Sequence, residues 1–362
     1  MIVAVSPDKF KGTLSAREAA GAIAAGVREA VPDAVVRLLP MADGGEGTSE
    51  TIGCIRGWKG LTVETVDAMG APLEAQYFTD GKAAVIDSSA VVGLQQIAPE
   101  QRNPLKGSSY GLGLAVRRLL DSGIEKVTIG IGGTATVDAG IGFLQGLGAT
   151  LYGEYGEIAV PFRAENLKDL VRVDFSRLPE CSRIEGLSDV DVPLTAAPGM
   201  PSMLMFAPQK GVTEKELPLL YDNLCRLENR VEWMPFRPDF ATRFGGAGGG
   251  LGFAIAGVLG SEVRFGAEEM ISLSGLFSPR PDLVITGEGC YDRQSLQGKI
   301  TETISRRSAA LGIPSVVIAG KADPSLRSGR IIQATPDGTV PTPAEAAEYL
   351  TDATKRMLES IR

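Results

Sequence analysis

The chain has 362 residues, with 36 Lys and Arg against 44 Asp and Glu, a net charge of -8 and no His. Without His there can be no Ser-His-Asp triad, no Cys-His pair and no His-ligated zinc site of the usual kinds. Acid–base chemistry must then use carboxylates, Lys, Tyr, Cys or metal-bound water, and the acidic balance argues against a nucleic-acid partner.

The first elements predict an α/β layer with a parallel sheet. Residues 2–5 predict a buried strand, and Ser15 with Glu18 forms a capping box that opens a helix to about Ala30. Residues 35–39 predict a second strand, and Thr48 is a candidate cap for the next helix. Strand, loop and helix in this order are typical of parallel α/β folds.

The middle of the chain shows a different pattern. Residues 63–78 and 82–87 predict antiparallel strands, followed by a helix at 110–122, a strand at 126–131 and a loop at 132–140. Residues 244–261 form the longest uncharged stretch, but its eight glycines indicate a tight turn that leads into a buried helix rather than a membrane span.

The first pattern returns near the end, with a strand at 282–286, a helix at 300–311 and a strand at 313–319. We therefore expect two domains, a discontinuous Rossmann-like parallel-sheet domain with a second α/β domain inserted, and we expect the ligand in the cleft between them. The predicted boundaries are residues 1–75 plus 276–362 for the first domain and 76–275 for the second.

The cysteines and the N-terminus bear on localisation. The four cysteines are scattered without a C-x-x-C pair, which indicates free thiols rather than disulfides or zinc ligands: Cys54, Cys181, Cys225 and Cys290. The N-terminus lacks the basic start and long apolar run of a signal peptide. We expect a cytoplasmic protein that does not contact a membrane.

Four loops follow predicted strands and combine Gly with charged or hydroxyl residues: SPDKFKG, MADGGEG, GIGGTATVDAG and TGEGCYD. Ligands of open α/β sheets bind at the carboxyl ends of strands, so the four loops together favour an anion-binding site. Neither a Walker A motif nor a Rossmann fingerprint is present, which disfavours a P-loop or a standard dinucleotide fold.

Two interpretations of the loop at 132–138 remain open. Its backbone N–H groups and hydroxyls could bind phosphate, or the loop could be a tight turn with Thr136 as the N-cap of the following helix. Lys11, Lys210 and Lys299 each stand beside a Gly, where an ammonium could reach a phosphate or simply be solvated.

Two carboxylates share the segment SDVDVP. Asp189 and Asp191 would point the same way if this segment is extended. Such a pair could hold Mg²⁺, or one carboxylate could take a proton from a substrate hydroxyl. Two solvated carboxylates on a polar strand face are the alternative.

Seven ordered segments across residues 1–320 resemble the type II glycerate kinase family, the bacterial glycerate 2-kinase group. They are SPDKFKGTLSA, LLPMADGGEGT, RNPLKGSSYGLG, IGIGGTATVDAG, FAPQKG, GAGGGLG and DLVITGEGCYDRQSLQGK. The resemblance implies ATP- and Mg²⁺-dependent phosphorylation of D-glycerate, mainly to 2-phosphoglycerate, in a two-domain fold. It implies small-molecule partners only and leaves a homo-oligomer open.

Carried over position by position, the resemblance implies the site residues. The roles are our own assignment: catalysis is given to Asp189 and Lys11, and the candidate metal ligand is Asp191, which is not one of the positions carried over, with Asp43 or Asp292 as alternatives. The implied substrate-binding residues are Asp8, Asp43, Gly44, Gly45, Glu46, Glu288, Asp292 and Lys299. The implied phosphate- or nucleotide-binding residues are Gly132, Gly133, Thr134, Ala135, Thr136, Asp138 and Lys210.

The sequence departs from the family pattern at four positions. Val137 and Val192 stand where relatives have Asn, Ser188 stands where they have Cys, and Gln297 stands where His is common. Two lost amides leave two alternatives to a glycerate kinase: a kinase for a related small hydroxy acid, or a catalytically degenerate ligand-binding protein of the same fold. The charged loop residues survive, which favours the enzyme.

Overall fold

The computed structural model describes residues 1–179, 183–197, 199–293, 295–297 and 299–360. The chain divides into two compact units, Met1–Asp43 with Gly266–Arg362, and Gly44–Phe265. Of the predicted free thiols, Cys54, Cys225 and Cys290 are unpaired, and Cys181 lies outside the described residues. No helix among the described residues is long and apolar enough to cross a membrane.

The strands of the described residues are, in chain order, β1 (Ile2–Val5), β2 (Val35–Leu38), β3 (Lys59–Val66), β4 (Pro72–Thr79), β5 (Ala83–Asp87), β6 (Lys126–Gly130), β7 (Thr150–Gly153), β8 (Gly156–Glu157), β9 (Leu170–Asp174), β10 (Ile184–Ser188), β11 (Glu232–Met234), β12 (Val263–Phe265), β13 (Leu283–Tyr291), β14 (Ser315–Ala322) and β15 (Ile331–Gln333).

The α-helices are α1 (Ala16–Ala30), α2 (Thr48–Arg56), α3 (Ser88–Val92), α4 (Tyr110–Asp121), α5 (Ile141–Leu147), α6 (Ala207–Lys210), α7 (Leu217–Arg230), α8 (Gly266–Ser274), α9 (Ile300–Ala310) and α10 (Pro343–Ser360). Short 3₁₀ turns stand at Leu94–Gln96, Pro99–Gln101, Ala164–Asp169, Met203–Phe206, Ala247–Gly249 and Ser295–Gln297, and a π-helical turn at Phe253–Val258.

The first unit is a five-stranded parallel sheet in the order β15-β14-β13-β1-β2. The buried faces of α1 and α10 belong to its apolar core together with residues of β1 and β13. The two helices pack very closely, since a Cβ atom on Gly26 would stand 2.4 Å from the carbonyl oxygen of Thr351. The sheet and its packed helices confirm the predicted parallel α/β layer.

The second unit contains two sheets. A six-stranded sheet runs in the order β12-β10-β6-β5-β4-β3, and a four-stranded sheet runs in the order β11-β9-β7-β8. Strands β12, β10, β6 and β5 are parallel, whereas β4 and β3 extend the sheet as antiparallel strands. The predicted antiparallel region is therefore the edge of a larger mixed sheet, and the α/β fold class is confirmed.

The unit boundaries differ from the predicted ones. The predicted boundary after residue 75 would cut β4, which pairs with β3 along its whole length. Residues 44–75 consequently belong to the second unit, and residues 266–275 belong to the first as part of α8 and its C-terminal turn. The positions of glycines in the sequence do not reveal the unit boundary, because the hairpin turn at Gly70 lies inside a sheet rather than between domains.

Of three predicted helix caps, the structure contains one. Ser15 and Glu18 form the predicted capping box of α1, with Ser15 N–H donating to Glu18 Oε2 over 2.8 Å. Thr48 is not the cap of α2, because Gly47 takes that position with a φ of 89°. Thr136 is not the cap of α5 either, since the left-handed Gly140 precedes that helix.

Candidate active site

The first unit places its charged loop residues at a topological switch point. From β1 the chain crosses to β2 on one side, while β13, β14 and β15 extend the sheet on the other side. Ligands of doubly wound sheets bind where the strand order reverses in this way, which here is at the carboxyl ends of β1 and β13. Asp8 follows β1, and its backbone N–H donates to the carbonyl of Gly287 on β13 over 2.8 Å.

Asp8 and Asp43 form a buried acidic pair in this unit. Each side chain is only 8% exposed, and each follows one of two adjacent parallel strands. Burial, together with the charges of Asp43 and Glu288, raises the pKa of Asp8 from 3.8 to about 8, while Lys9 opposes the shift. Two buried carboxylates so close together therefore favour the binding of a proton or a cation.

Glu288 lies within β13 and not in the loop where the sequence predicted it, because β13 continues to Tyr291. Its Oε2 atom is 3.5 Å from Nζ of Lys299, the residue that precedes α9. Burial raises the pKa of Glu288, and Lys299 opposes this. Burial would lower the pKa of Lys299, but Glu288, Asp43 and Asp292 together raise it. The ammonium therefore stays charged at the end of the strand.

The turn that carries Lys11 rests on glycines of the same sheet. A Cβ atom on Gly289 would stand 3.0 Å from the backbone nitrogen of Lys11, and one on Gly320 would stand 3.4 Å from the ring of Phe10. The Lys11 residue itself is exposed. Only glycine lets the turn lie this close to the sheet, so the glycines place the lysine beside the carboxyl end of β13.

Asp292 stands in a turn after β13. Its Oδ1 atom accepts a hydrogen bond from the backbone N–H of Ser295 over 3.3 Å, and its own N–H donates to Ser295 Oγ over 3.2 Å. The carboxylate thus shapes the connection that leads to Lys299. The side chain of Gln297, one of the departures from the family pattern, is outside the described part of the structure.

The second unit brings three further loops together. Strands β6 and β10 are parallel neighbours, so the segments that follow them meet at one edge of the sheet, and the segment that precedes α2 lies against both. A Cβ atom on Gly132 would stand 2.7 Å from the Cα atom of Gly45 and 3.6 Å from Oδ1 of Asp189. A Cβ atom on Gly44 would stand 2.8 Å from the backbone nitrogen of Ser188. We call these contacting segments, residues 44–47, 132–136 and 188–189, the glycine cradle.

Asp87 anchors the first of these segments and was not predicted as a site residue. Its carboxylate accepts hydrogen bonds from the N–H groups of Gly47 and Ser49 and from the Ser49 hydroxyl, each over 2.9 Å. Asp87 is the last residue of β5. The one feature of the sequence that could have pointed to it is an acidic residue directly after an apolar run. Glu46 directly precedes the anchored Gly47 and is exposed.

Lys210 and Asp138 lie behind the segment 132–136. Lys210 is 5% exposed, and its Nζ atom donates to Thr134 Oγ1 over 2.9 Å and to the carbonyl of Thr136 over 2.8 Å. Asp138 is fully buried and accepts hydrogen bonds from the backbone N–H of Ser109, Gly140 and Gly142 and from the Ser109 hydroxyl. Both residues hold the loop in shape from within the fold.

Comparisons with known proteins agree with this arrangement. The sequence model of the glycerate kinase family matches residues 3–361. The chain belongs to the glycerate kinase family. A Bacillus subtilis strain 168 glycerate kinase is 34% identical over 100% of this chain and 98% of its own length. The glycerate 2-kinase of Escherichia coli K12 is 35% identical over 88% of this chain and 85% of its own length.

A solved structure supports the same assignment. A Salmonella typhimurium LT2 protein, provisionally assigned as glycerate kinase 2, has a crystal structure that matches with a TM-score of 0.78 at 31% identity. The match covers 100% of this chain and 98% of that protein. As a glycerate kinase family member, the protein is a phosphotransferase that takes a nucleotide co-substrate and small-molecule substrates.

In this glycerate kinase family member, Asp191 does not share a face with Asp189. Both residues follow β10 in irregular chain rather than in an extended strand, so the alternation that the sequence suggested does not apply. Asp191 Oδ2 accepts from the guanidinium of Arg243 over 2.6 Å, and its Oδ1 accepts from the N–H of Phe244 over 3.0 Å. A metal ion at Asp191 would have to displace this ion pair.

The two valines that replace family amides occupy different surroundings. Val137 is fully buried and belongs to the apolar core of the second unit. Val192 is partly buried, and its carbonyl accepts a hydrogen bond from Gly246 over 2.8 Å. Val137 therefore adds to the core and places no apolar group on the exposed surface of the cradle.

Proposed function

We propose that the protein catalyses ATP-dependent phosphorylation of D-glycerate at the 2-hydroxyl by direct transfer of the γ-phosphoryl group. Family membership supports a kinase that acts on glycerate, and the name of the Escherichia coli relative, glycerate 2-kinase, supports the 2-position. Phosphoryl transfer depends on positioning and charge neutralisation more than on covalent chemistry, which suits a chain without His.

The observation that carries the proposal is the position of the Asp189 carboxylate beside Gly132 within the glycine cradle. Asp189 Oδ1 would lie 3.6 Å from a Cβ atom on Gly132, which is at the turn between β6 and α5. Glycines at the carboxyl end of a strand let backbone N–H groups approach phosphate oxygens. Asp189 would orient or deprotonate the glycerate hydroxyl next to the phosphoryl group that those N–H groups hold.

Magnesium would accompany the nucleotide. Among the described residues, no group of three or more acidic or Cys side chains stands close enough to hold a metal ion alone. Mg²⁺ in kinases is usually bound by one or two carboxylates together with phosphate oxygens and water, so the buried pair Asp8 and Asp43 fits it. The ion would neutralise phosphate charge, and its binding would relieve the repulsion that raises the pKa of Asp8.

The remaining residues of the first unit would bind anions. Lys299 and Lys11 are the candidate phosphate contacts, and the Lys299 ammonium is kept charged by the carboxylates near it. Glu288 and Asp292 set the position of Lys299 and can accept hydrogen bonds from glycerate hydroxyls. A cation at this point would stabilise the charge of the transferring group.

A coupled assay tests the proposal. The purified protein with Mg²⁺, ATP and D-glycerate should produce ADP and one equivalent of 2-phosphoglycerate, with the phosphorylated position assigned by ³¹P and ¹H NMR. A panel of other small hydroxy acids, including L-glycerate, glycolate and lactate, tests substrate choice. ADP release with another acid but not with D-glycerate would redirect the substrate, and no ADP release with any acid would refute the kinase.

A further inference from the structure

The buried ammonium of Lys210 is an unusual feature of this fold. Lys210 ends the short helix α6, and its side chain runs to the rear of segment 132–136. Lysine is rarely buried unless its charge is compensated. Here burial lowers the pKa of Lys210 to about 7, and Asp138 opposes the shift. Burial of the ammonium costs free energy, so the two hydrogen bonds that Lys210 makes are needed to offset that cost.

The surrounding chain is built to admit the ammonium. Gly249 has a φ of 71°, and a Cβ atom there would stand 3.0 Å from Lys210 Nζ and 1.9 Å from the carbonyl of Thr136. Any larger residue would collide with the loop that Lys210 binds. The glycine-rich segment 248–250 thus leaves the space through which Lys210 reaches Thr134 and Thr136.

The loop is also fixed on its opposite flank. The N–H of Ala135 donates to the carbonyl of Val92 over 2.8 Å, and the N–H of Leu94 donates to the carbonyl of Gly133 over 2.9 Å. The backbone after α3 therefore holds Gly133 and Ala135, while Lys210 holds the alternating residues, Thr134 and Thr136. The four consecutive residues 133–136 are thus held alternately from the two flanks of the segment.

We propose that Lys210 is a positioning residue, which holds segment 132–136 in its phosphate-binding shape without itself contacting the phosphate. The inference rests on the proposed function, in which this segment binds the nucleotide phosphates. An ammonium has three donors, and two of them are committed to the loop. To contact a ligand, Lys210 would have to break both bonds and release Thr134 and Thr136.

Four variants test the inference. Lys210→Met keeps the length of the side chain and removes the donors, Thr134→Val removes one acceptor at constant shape, and Thr134→Ser restores that acceptor. Lys215→Met, at an exposed lysine in the same unit, is the matched control. The probe is the non-hydrolysable nucleotide AMP-PNP with Mg²⁺, and its Kd is measured by calorimetry on the full-length protein, with Tm as a measure of folding.

The positioning role predicts that Lys210→Met raises the Kd for AMP-PNP about 10-fold or more, since small misplacements of binding groups have effects of this size. Thr134→Val should raise Kd in the same direction, Thr134→Ser and Lys215→Met should leave it within about 2-fold, and Tm should not fall. The double variant Lys210→Met/Thr134→Val should bind no more weakly than Lys210→Met alone, because both changes remove the same contact.

Two results would overturn the inference. Fully additive effects of Lys210→Met and Thr134→Val would mean that the lysine contacts the nucleotide directly. An unchanged Kd in Lys210→Met would mean that its two hydrogen bonds serve the fold alone. The binding readout does not need glycerate, so an inactive wild-type protein that still binds AMP-PNP would refute the proposed function without touching this result.

Discussion

The Nζ atom of Lys299 lies 3.5 Å from Oε2 of Glu288, and each residue counteracts the effect of burial on the other. The carboxylate stands inside β13, and the ammonium stands at the first position before α9. A strand-to-helix connection thus delivers a half-buried cation to the carboxyl end of the central strands. In the proposed reaction, a cation at this position would neutralise phosphate charge.

Replacing Lys299 should therefore damage catalysis. We expect Lys299→Met to lower kcat/KM for phosphorylation by about 10²-fold, the scale expected when one donor to a developing charge is removed. Loss of the ammonium should also raise the pKa of Glu288 further, because the charge that opposes the effect of burial is gone. Initial-rate kinetics at varied ATP and D-glycerate would measure the change.

A lysine of the same unit provides the control for that experiment. Lys355→Met removes an ammonium on the surface of α10 that pairs with Glu29 of α1. Exposed pairs of this kind contribute about 0–1 kcal/mol, so kinetics and Tm should stay near wild type. Equal losses in the two variants would show that net charge matters and that the position of Lys299 does not.

The acidic pair predicts a pH dependence of stability. In the unfolded chain Asp8 has a pKa of 3.8, and in the folded protein its pKa is about 8. Between these values the folded state holds a proton that the unfolded state has lost, so this residue stabilises the fold less as the pH rises. We expect Asp8→Asn to become more stable relative to wild type from pH 5 to pH 9.

Thermal unfolding of both proteins across this range measures the effect. The difference between the two Tm values reports on Asp8 together with its interactions with Asp43 and Glu288, because every other titrating group is shared. Added Mg²⁺ should reduce the difference at high pH, since a cation near Asp8 and Asp43 favours their charged forms. A constant Tm difference across the range would mean that Asp8 titrates normally.

Much of the first unit could be predicted from local sequence patterns. The capping box at Ser15 and Glu18 determines where α1 begins, and the apolar residues of β1 form a buried parallel strand as expected. Local patterns do not reveal how far a strand continues through glycine. The glycine-rich sequence around Gly287 and Gly289 is typical of a loop. Both residues nevertheless belong to β13, because the neighbouring strand β14 supplies partners along this length.

The candidate site depends on contacts that sequence spacing does not encode. Asp87 is some 40 residues from the loop it anchors, and Ser109 is 29 residues from Asp138. The sequence located the glycine-rich loops, but it could not separate residues that face a ligand from residues that support the loop from behind. Asp138, Lys210 and Asp191 all looked like site residues, and all three are engaged within the fold.

Asp138 should matter for stability. Its buried carboxylate accepts four hydrogen bonds that link the N-terminal ends of α4 and α5. In Asp138→Asn one oxygen becomes an N–H₂ group that faces donors, so buried N–H groups lose their acceptor at a cost of about 3 kcal/mol. Urea unfolding would measure this loss, with Asp121→Asn on the exposed face of α4 as the control.

The stability losses of Asp138→Asn and of a variant of its main partner, Ser109, should be non-additive. Ser109 contributes two of the four hydrogen bonds, one from its N–H and one from its hydroxyl. Ser109→Ala removes the hydroxyl, which donates to Asp138 and also accepts from the N–H of Phe143 over 2.8 Å, so it should cost about 2 kcal/mol. A double variant with a loss equal to the sum of the two single losses would show that the two residues act independently.

Asp189 is the residue on which the proposed chemistry depends most directly. Asp189→Asn keeps the shape of the side chain and removes its capacity to accept a proton from the glycerate hydroxyl. We expect kcat to fall by about 10² or more, while KM for ATP stays within a few-fold, because the glycine cradle is intact. Single-turnover measurements would show whether the phosphoryl-transfer step itself is slowed.

Asp191→Asn is the matched variant, since it alters a carboxylate two residues away on the same segment. Its side chain pairs with Arg243 and with the N–H of Phe244, so the change should lower Tm slightly and leave kcat near wild type. The Mg²⁺ concentration for half-maximal activity should also be unchanged. A marked rise in that concentration would instead place the metal at Asp191, and a loss of kcat equal to that of Asp189→Asn would mean that the segment, rather than one carboxylate, is required.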